Sequence, residues 1–519
     1  MSIAVIHLPQ TQNLLRPRYW EGDREGEVTL LDCVALPRPF NQKTPSSKLA
    51  ISFAKSRGQK YKQVQSSGLL PFALCPMSVC PSPICLMLPR HIRYALATHP
   101  SFPLPFEGRG QGGRGKEVSM PFRYFTAGES HGKGGVVIVE GIPAGVPISE
   151  DYIQKHMHRR QMGYGRGPRQ QLEVDRAEIL TGVRHGLTMG GPIAMWVENK
   201  DFANWTEAMS VAPVGDDAAK VRRVTRLRPG HADFPGVFKY HVDDVRPILE
   251  RSSARETAAR VAAGAVCRRF LEEFGIEIHS QVLTVYTIKA KVPDIIDWQA
   301  VEDSPVRCAD PEAAKAMMAH IDWCRDNGNT AGGVFEVSAH GVPIGLGSFT
   351  QWDQKLDGLL AQGMMSIQAV KGVEIGSGFE NTEKLGSQVH DVIEPWNGDA
   401  RPFHHITNRA GGTEGGMSNG EPLVCRMALK PISTLSKPLP SVDLDTGEVT
   451  QAHYERSDIC QVPPACVVGE AVMATVIIKC FLEKFGGDHL SETRRNYEGY
   501  LKSLRQLAPK KAVAKSAAD

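Results

Sequence analysis

The chain has 519 residues, a formal net charge of +3 and 41% hydrophobic residues. That length suits two to four ordinary domains or one large domain with appendages, and the apolar share excludes global disorder. The 50 glycines follow no three-residue period, which excludes a collagen-like fibre, and no run of about 18 consecutive apolar residues marks a membrane-spanning helix.

In chain order, residues 1–119 stand apart. They carry 15 Lys and Arg against 7 Asp and Glu and hold 13 of the 35 prolines, whereas the rest of the chain carries 45 basic against 50 acidic residues. The basic balance therefore belongs to the leader. It argues against a nucleic-acid partner for the body, which would need a strongly basic face. Met1 to Leu15 lack the basic region and small-residue cleavage site of a signal peptide. The most apolar stretch, Gly68 to Leu88, is broken by Pro71, Pro76, Pro81 and Pro83. A targeting leader is the competing reading, but no amphipathic Arg/Ser-rich helix opens the chain. With no sustained period, the leader buries too little to offset its ordering entropy, about 1–2 kcal/mol per residue for the backbone. The expectation is an unstructured leader over 1–119, a native start at Met120 and a soluble, cytoplasmic protein. The 11 cysteines form no Cys-x-x-Cys pair and no cluster at zinc spacing, so reduced thiols and no metal centre are expected.

From Met120 the texture changes. Ser149 caps a helix that runs through Tyr152, Ile153, His156 and Met157 and stops at Gly163. Ser253-Ala254-Arg255-Glu256 has the spacing of a capping box, and the helix behind it lines up Ala258, Val261, Ala262, Ala265, Val266, Phe270 and Phe274 before Gly275 ends it. Asp310-Pro311 opens another helix, carrying Met317, Ile321 and Cys324 to Asn327-Gly328. Val467 to Phe485 forms an apolar helix ended by Gly486-Gly487. Strand candidates are Val136 to Val139, Ile193 to Val197, Ile276 to Tyr286, Val334 to Val337 and Leu423 to Leu429. Strands and helices do not alternate regularly, so the class expected is α+β, one large domain over 120–506 with a basic Ala/Lys tail, 507–519, expected to be disordered.

Three segments carry chemistry. Gly128-Glu129-Ser130-His131-Gly132 fails the phosphate-loop spacing but places a His in a turn where backbone can approach a ligand closely. Arg226-Leu227-Arg228-Pro229-Gly230-His231-Ala232-Asp233 puts a second His behind two arginines. Glu250-Arg251-Ser252-Ser253-Ala254-Arg255-Glu256 sets guanidinium and hydroxyl groups at a helix start, where free amides and the dipole favour anions. Arg159, Arg160, Arg166 and Arg169 add guanidinium. Two histidines, clustered arginines and no metal set point to a multiply charged anionic substrate, with a phosphorylated cofactor as a further expectation.

These residues resemble those of the chorismate synthase family. The resemblance rests on Gly-Glu-Ser-His-Gly at 128–132, Arg-Pro-Gly-His-Ala-Asp at 228–233, Arg-Ser-Ser-Ala-Arg-Glu-Thr at 251–257, Lys-Pro-Ile-Ser-Thr at 430–434 and Arg-Ser-Asp at 456–458, and covers Met120 to about Gln506. It implies a β-α-β sandwich, a homotetramer, and a lyase. The reaction implied is a 1,4-anti elimination of phosphate from 5-enolpyruvylshikimate 3-phosphate, using reduced FMN without net redox change, in the shikimate pathway of aromatic amino acid biosynthesis. It implies that His131 protonates the departing phosphate, that His231 serves the reduced flavin, and that Asp458 with Ser130 relays a proton. It places FMN at Arg251, Ser252, Ser253, Gln368, Ala369, Gly415, Lys430, Pro431, Ile432, Ser433, Thr434 and Arg456. Arg160 and Arg166 match positions associated with NADP, with NADPH as a reductant, and their charge equally suits substrate phosphate or carboxylate. The chain departs from the family in three ways: Ile248-Leu249-Glu250 replaces a glycine run, Gln368 stands where Asn is common, and the leader has no counterpart. The rival readings are a nucleic-acid-binding protein using 108–116 and 158–169, and a metal-free histidine phosphoesterase needing no flavin.

Overall fold

The computed structural model describes residues 3–5, 52–54, 122–167, 175–395 and 401–507. The chain divides into two units, Met1–Gln111 and Gly112–Asp519. In the first, the described residues are two short antiparallel strands, Ile3–Val5 and Ser52–Ala54, with Ile3 opposite Ala54. The rest of the leader, Arg169 and the tail from residue 508 lie outside the described residues.

In the second unit the principal elements, in chain order, are β1 (Arg123–Ala127), β2 (Gly134–Glu140), α1 (Glu150–Gln161), β3 (Ala177–Thr181), β4 (Ile193–Glu198), α2 (Asp233–Tyr240), α3 (Arg246–Ser252), α4 (Thr257–Glu272), β5 (Glu277–Val285) and β6 (Ile288–Lys289). They continue with α5 (Pro311–Asp326), β7 (Gly333–His340), α6 (Leu356–Met365), β8 (Val370–Ile375), β9 (Leu423–Leu429), α7 (Val462–Phe485) and α8 (Leu490–Gln506). The 4-stranded sheet runs β1-β2-β4-β3 and the 5-stranded sheet β6-β5-β7-β9-β8, every neighbour antiparallel. Helix α4 packs on β2, α7 packs on β5 and β7, and the two helices pack on each other with α1 alongside. Sheet, helices, sheet is the expected β-α-β sandwich, and antiparallel ladders place it in the α+β class.

Local chemistry explains the elements. The Ser149 hydroxyl accepts from Tyr152 N at the start of α1, with Glu150 and Asp151 in the first turn and His158, Arg159 and Arg160 in the last, as the helix dipole favours. Asp310 caps α5 by accepting from Glu312 N and Ala313 N. The expected apolar face of α4 is buried, and so are Ala259, Ala263, Gly264, Cys267 and Leu271, because the helix lies between two sheets rather than on one. Where α4 crosses α7, a Cβ on Gly264 would sit 2.4 Å from Ala471 Cβ and 2.5 Å from its Cα.

One expectation is corrected. The last apolar helix starts at Val462, not Val467, because Pro463 and Pro464 occupy its first turn, where a missing N–H costs nothing. That helix is also long and apolar enough to cross a membrane, yet 89% of its most apolar window is buried inside the protein. It is a core helix. Its one fully buried carboxylate, Glu470, meets Arg159 of α1 at 2.7 Å, Arg268 of α4 at 2.6 Å and Arg307 at 3.3 Å. Burial alone would raise its pKa, but the three guanidinium groups hold it well below the carboxylate range.

A smaller core of Val224, Leu227, Val237, Val245, Ile248 and Leu249 anchors the segment that carries the second histidine. The 7 cysteines of the second unit are buried and free.

Candidate functional site

The first glycine-rich motif is the turn between β1 and β2. Gly128 has φ 115°, and a Cβ there would meet Gly134 O at 2.4 Å, so only glycine lets the strands close this tightly. Asn199 Nδ2 donates to Gly132 O at 2.7 Å, and Ser130 N donates to Glu250 O at 3.1 Å. His131 is 5% exposed. Its backbone N donates to Glu250 Oε2 at 2.7 Å and its Nδ1 lies 2.8 Å from Glu250 Oε1. Its ring stacks on Trp205 with centroids 3.7 Å apart. A carboxylate accepts only, so Nδ1 donates to Glu250 and Nε2 is the ring's other acid–base position.

The second histidine is held by its own motif. Arg228 Nε donates to Asp233 Oδ2 at 2.8 Å, and both Arg228 Nη2 (2.9 Å) and His231 Nδ1 (2.5 Å) converge on Asp233 Oδ1. Burial alone would raise the Asp233 carboxyl, but the hydrogen bonds from His231 and Arg228 outweigh it and hold it well below the carboxylate range. Asp233 thus orients His231 through Nδ1, as Glu250 orients His131.

Both histidines line one cavity of about 630 Å³, within the range of ligand pockets. Its wall brings together Ser130, Arg160, Arg166, Ser252, Ser253, Gln368, Ala369, Lys430, Pro431, Ile432, Ser433, Thr434, Arg456 and Asp458 from segments far apart in sequence. Arg160, 4% exposed, donates to Asp175 Oδ2 at 2.5 Å and Thr257 Oγ1 at 3.2 Å. Arg166 Nη1 and Gly167 N each donate to Asp458, both at 2.6 Å. Burial, and then the charge of Lys371, lower the pKa of the Lys430 ammonium, which donates to Gly230 O. Ala369 takes φ 67°, a left-handed conformation that is costly for a residue with a Cβ. The buried Ser252 Oγ and Gln368 Oε1 have no hydrogen-bond partner among the described residues, so a polar ligand or a water would satisfy them. Hydroxyl, amide and cation on one wall fit a phosphorylated, hydrogen-bonding cofactor such as FMN.

Two expected positions lie outside this cavity. Arg251 turns outward, with Nη2 donating to Thr126 O at 2.8 Å and Nη1 to Gly128 O at 3.3 Å, because α3 points its last turn at the end of β1. Gly415 is exposed at the tip of a hairpin between Thr413–Glu414 and Met417–Ser418. The expected capping box forms only in half. Ser253 Oγ accepts from Arg255 N at 3.3 Å and caps a single 3-10 turn, Ala254–Glu256. Glu256 instead faces Arg260 and accepts from Thr126 and Gln368.

Sequence reasoning missed Glu250, Asp175 and Trp205. In the sequence Glu250 stands out as part of a departure from a glycine run and as the first residue of the Glu250–Glu256 segment, with no sign of its partner. It holds His131 from 119 residues away. Asp175 and Trp205 sit in segments with no motif to mark them.

A family model described as chorismate synthase matches residues 122–482. A chorismate synthase of Desulforudis audaxviator is 52% identical over 386 residues, 74% of this chain and 98% of the relative. One of Geobacter metallireducens is 54% identical over 393 residues, 74% of this chain and all of the relative. Among solved structures, a chorismate synthase crystal structure superposes with a TM-score of 0.60 at 41% identity, covering 75% of this chain and all of the other.

Proposed function

Because the chain belongs to the chorismate synthase family, we infer that its cavity converts 5-enolpyruvylshikimate 3-phosphate to chorismate and phosphate, with reduced FMN bound beside the substrate. The observation that carries this is the convergence of two carboxylate-oriented histidines on one cation-lined cavity. The substrate bears a phosphate and two carboxylates, and guanidinium forks match such oxygens in a bidentate manner.

The reaction breaks the ring C–O bond to phosphate and a ring C–H bond across the allylic system and forms one new C=C bond. His131, whose Nδ1 is occupied by Glu250, delivers a proton from Nε2 to the departing phosphate. Ser130 and Asp458 stand on the wall that takes up the proton lost from carbon. Such acid–base roles contribute about 10²–10⁴-fold each. Ser252, Gln368 and the Lys430–Thr434 segment would hold FMN, with His231 serving its ring. Reduced FMN, when bound, supplies an electron-rich ring that eases loss of the allylic phosphate with no net redox change. The burial of Arg160, the partial burial of Arg166 and the bond from Arg166 to Asp458 favour substrate contacts for both over a dinucleotide. NADPH then enters only as a reductant of the flavin. Phe234, Phe238 and Tyr240 of α2 are exposed, apolar surface that a contact between subunits would cover, and the buried α7 is the core helix of a soluble enzyme.

An anaerobic titration with FMN tests this reading. Turnover should appear with reduced FMN and vanish with the oxidised form. Phosphate release without flavin would instead identify a phosphoesterase.

A further inference from the structure

A second cavity, of about 650 Å³, shares His131, Glu455 and Arg456 with the first. It is lined by Lys200, Arg222 and Arg246 and by the indole of Trp205. The indole stacks on His131 and carries Arg222 at 3.7 Å from its centroid, with Arg246 at 5.3 Å.

The charges of this cavity fall into two groups. Arg246 is neutralised by Glu250 and Glu455, and Arg223 by Asp445 and Asp243. Asp201 is turned to Trp205 Nε1 and Asn204. Lys200 and Arg222 have no carboxylate partner among the described residues, and both are exposed. Arg222 also adopts φ 59°, the left-handed region that disfavours a side chain, while its carbonyl accepts from Arg246 Nε at 3.0 Å. A strained backbone that carries a guanidinium over an aromatic face is the kind of outlier that clusters at ligand sites.

We propose that this second cavity binds inorganic phosphate and is the port by which the product anion leaves His131. The site rests on the functional reading above only for the origin of its ligand. His131 lines both cavities, so a phosphate protonated at its ring is released beside the wall that carries Lys200 and Arg222. Glu455 and Arg456 line both as well. The Glu455 carboxyl, which burial alone would raise, is held at about 2 by the hydrogen bond from His453 and the charge of Arg246.

The test is binding of inorganic phosphate to the flavin-loaded enzyme by equilibrium dialysis, with product inhibition by phosphate measured in parallel, for the wild type and the double variant Lys200→Gln/Arg222→Gln. Loss of two charge-assisted contacts should weaken phosphate binding by about ten-fold or more and raise the phosphate inhibition constant with it, while KM for the organic substrate does not follow. Unchanged phosphate affinity overturns the port. A KM that rises in step with the inhibition constant assigns both side chains to the substrate site and overturns it equally. A wild type that turns over no substrate, yet binds phosphate in a way the double variant has lost, would sink the functional reading and leave the anion site standing.

Discussion

His131 and His231 reach the cavity by different means, and the difference decides what each substitution does. His131 hangs from a turn pinned by Glu250 and Asn199, whereas His231 is fixed by an aspartate two residues away in its own motif. Replacing either histidine with Ala should lower turnover by about 10²–10⁴-fold with the fold retained, checked by steady-state rates beside circular dichroism. Near-normal rates in either variant remove that residue from the chemistry. Both histidines stand out in the sequence only in combination: His131 in the Gly128–Gly132 turn gains weight from His231, which follows Pro229-Gly230 behind two arginines. The role of Glu250 was not legible: it depends on α3 lying against the β1–β2 turn, a contact between residues 119 positions apart. Arg251, which its motif marks for the cofactor, faces the end of β1, while its neighbour Ser252 lines the cavity. A one-residue step along a helix turns a side chain by about 100°, and a motif alone does not give that phase.

The elements are held by close approach as much as by apolar area. Gly264→Ala would drive a methyl into the backbone of α7 at Ala471, with contacts of 2.4–2.8 Å. Overpacking of this kind costs about 1–3 kcal/mol, seen as a lower denaturant midpoint at unchanged m-value. A midpoint equal to that of the wild type would show that the two helices separate freely. Helix α1 carries a pH-dependent element. Burial, and then the charges of Arg268 and Arg159, lower His156 from 6.5 to about 3. The unfolded chain therefore binds a proton that the folded one refuses between those values. Stability contributed here is intact above about pH 6.5 and is lost as pH falls toward 3, with a slope of at most about 1.4 kcal/mol per pH unit. His156→Gln should flatten unfolding free energy against pH in that window, and a slope identical to that of the wild type would contradict the assignment. Caps such as Ser149 and Asp310 were legible because capping is local. The start of α7 was obscured by Pro463 and Pro464, which read as breakers until a helix is seen to begin there.

At the scale of the whole molecule, irregular interspersion of strands and helices was enough to give the α+β class. The strand order was not legible, since β9 pairs with β7 and β8 across long stretches of chain. The described cavity and core of the second unit come from residue 122 onward, and relatives match this chain over nearly their full length using 74% of it. A chain beginning at Met120 should therefore fold and turn over like the full chain, measured by melting temperature and rate. A truncated chain that folds but has lost its rate would assign the leader a part in the reaction. The central claim, that one cavity couples loss of phosphate to formation of a second ring double bond, is tested most directly by product stoichiometry. The wild type, with reduced FMN under anaerobic conditions, should form chorismate and phosphate in equal amounts from 5-enolpyruvylshikimate 3-phosphate, with the flavin still reduced at the end. Phosphate released without chorismate, or flavin oxidised in proportion to product, would contradict it.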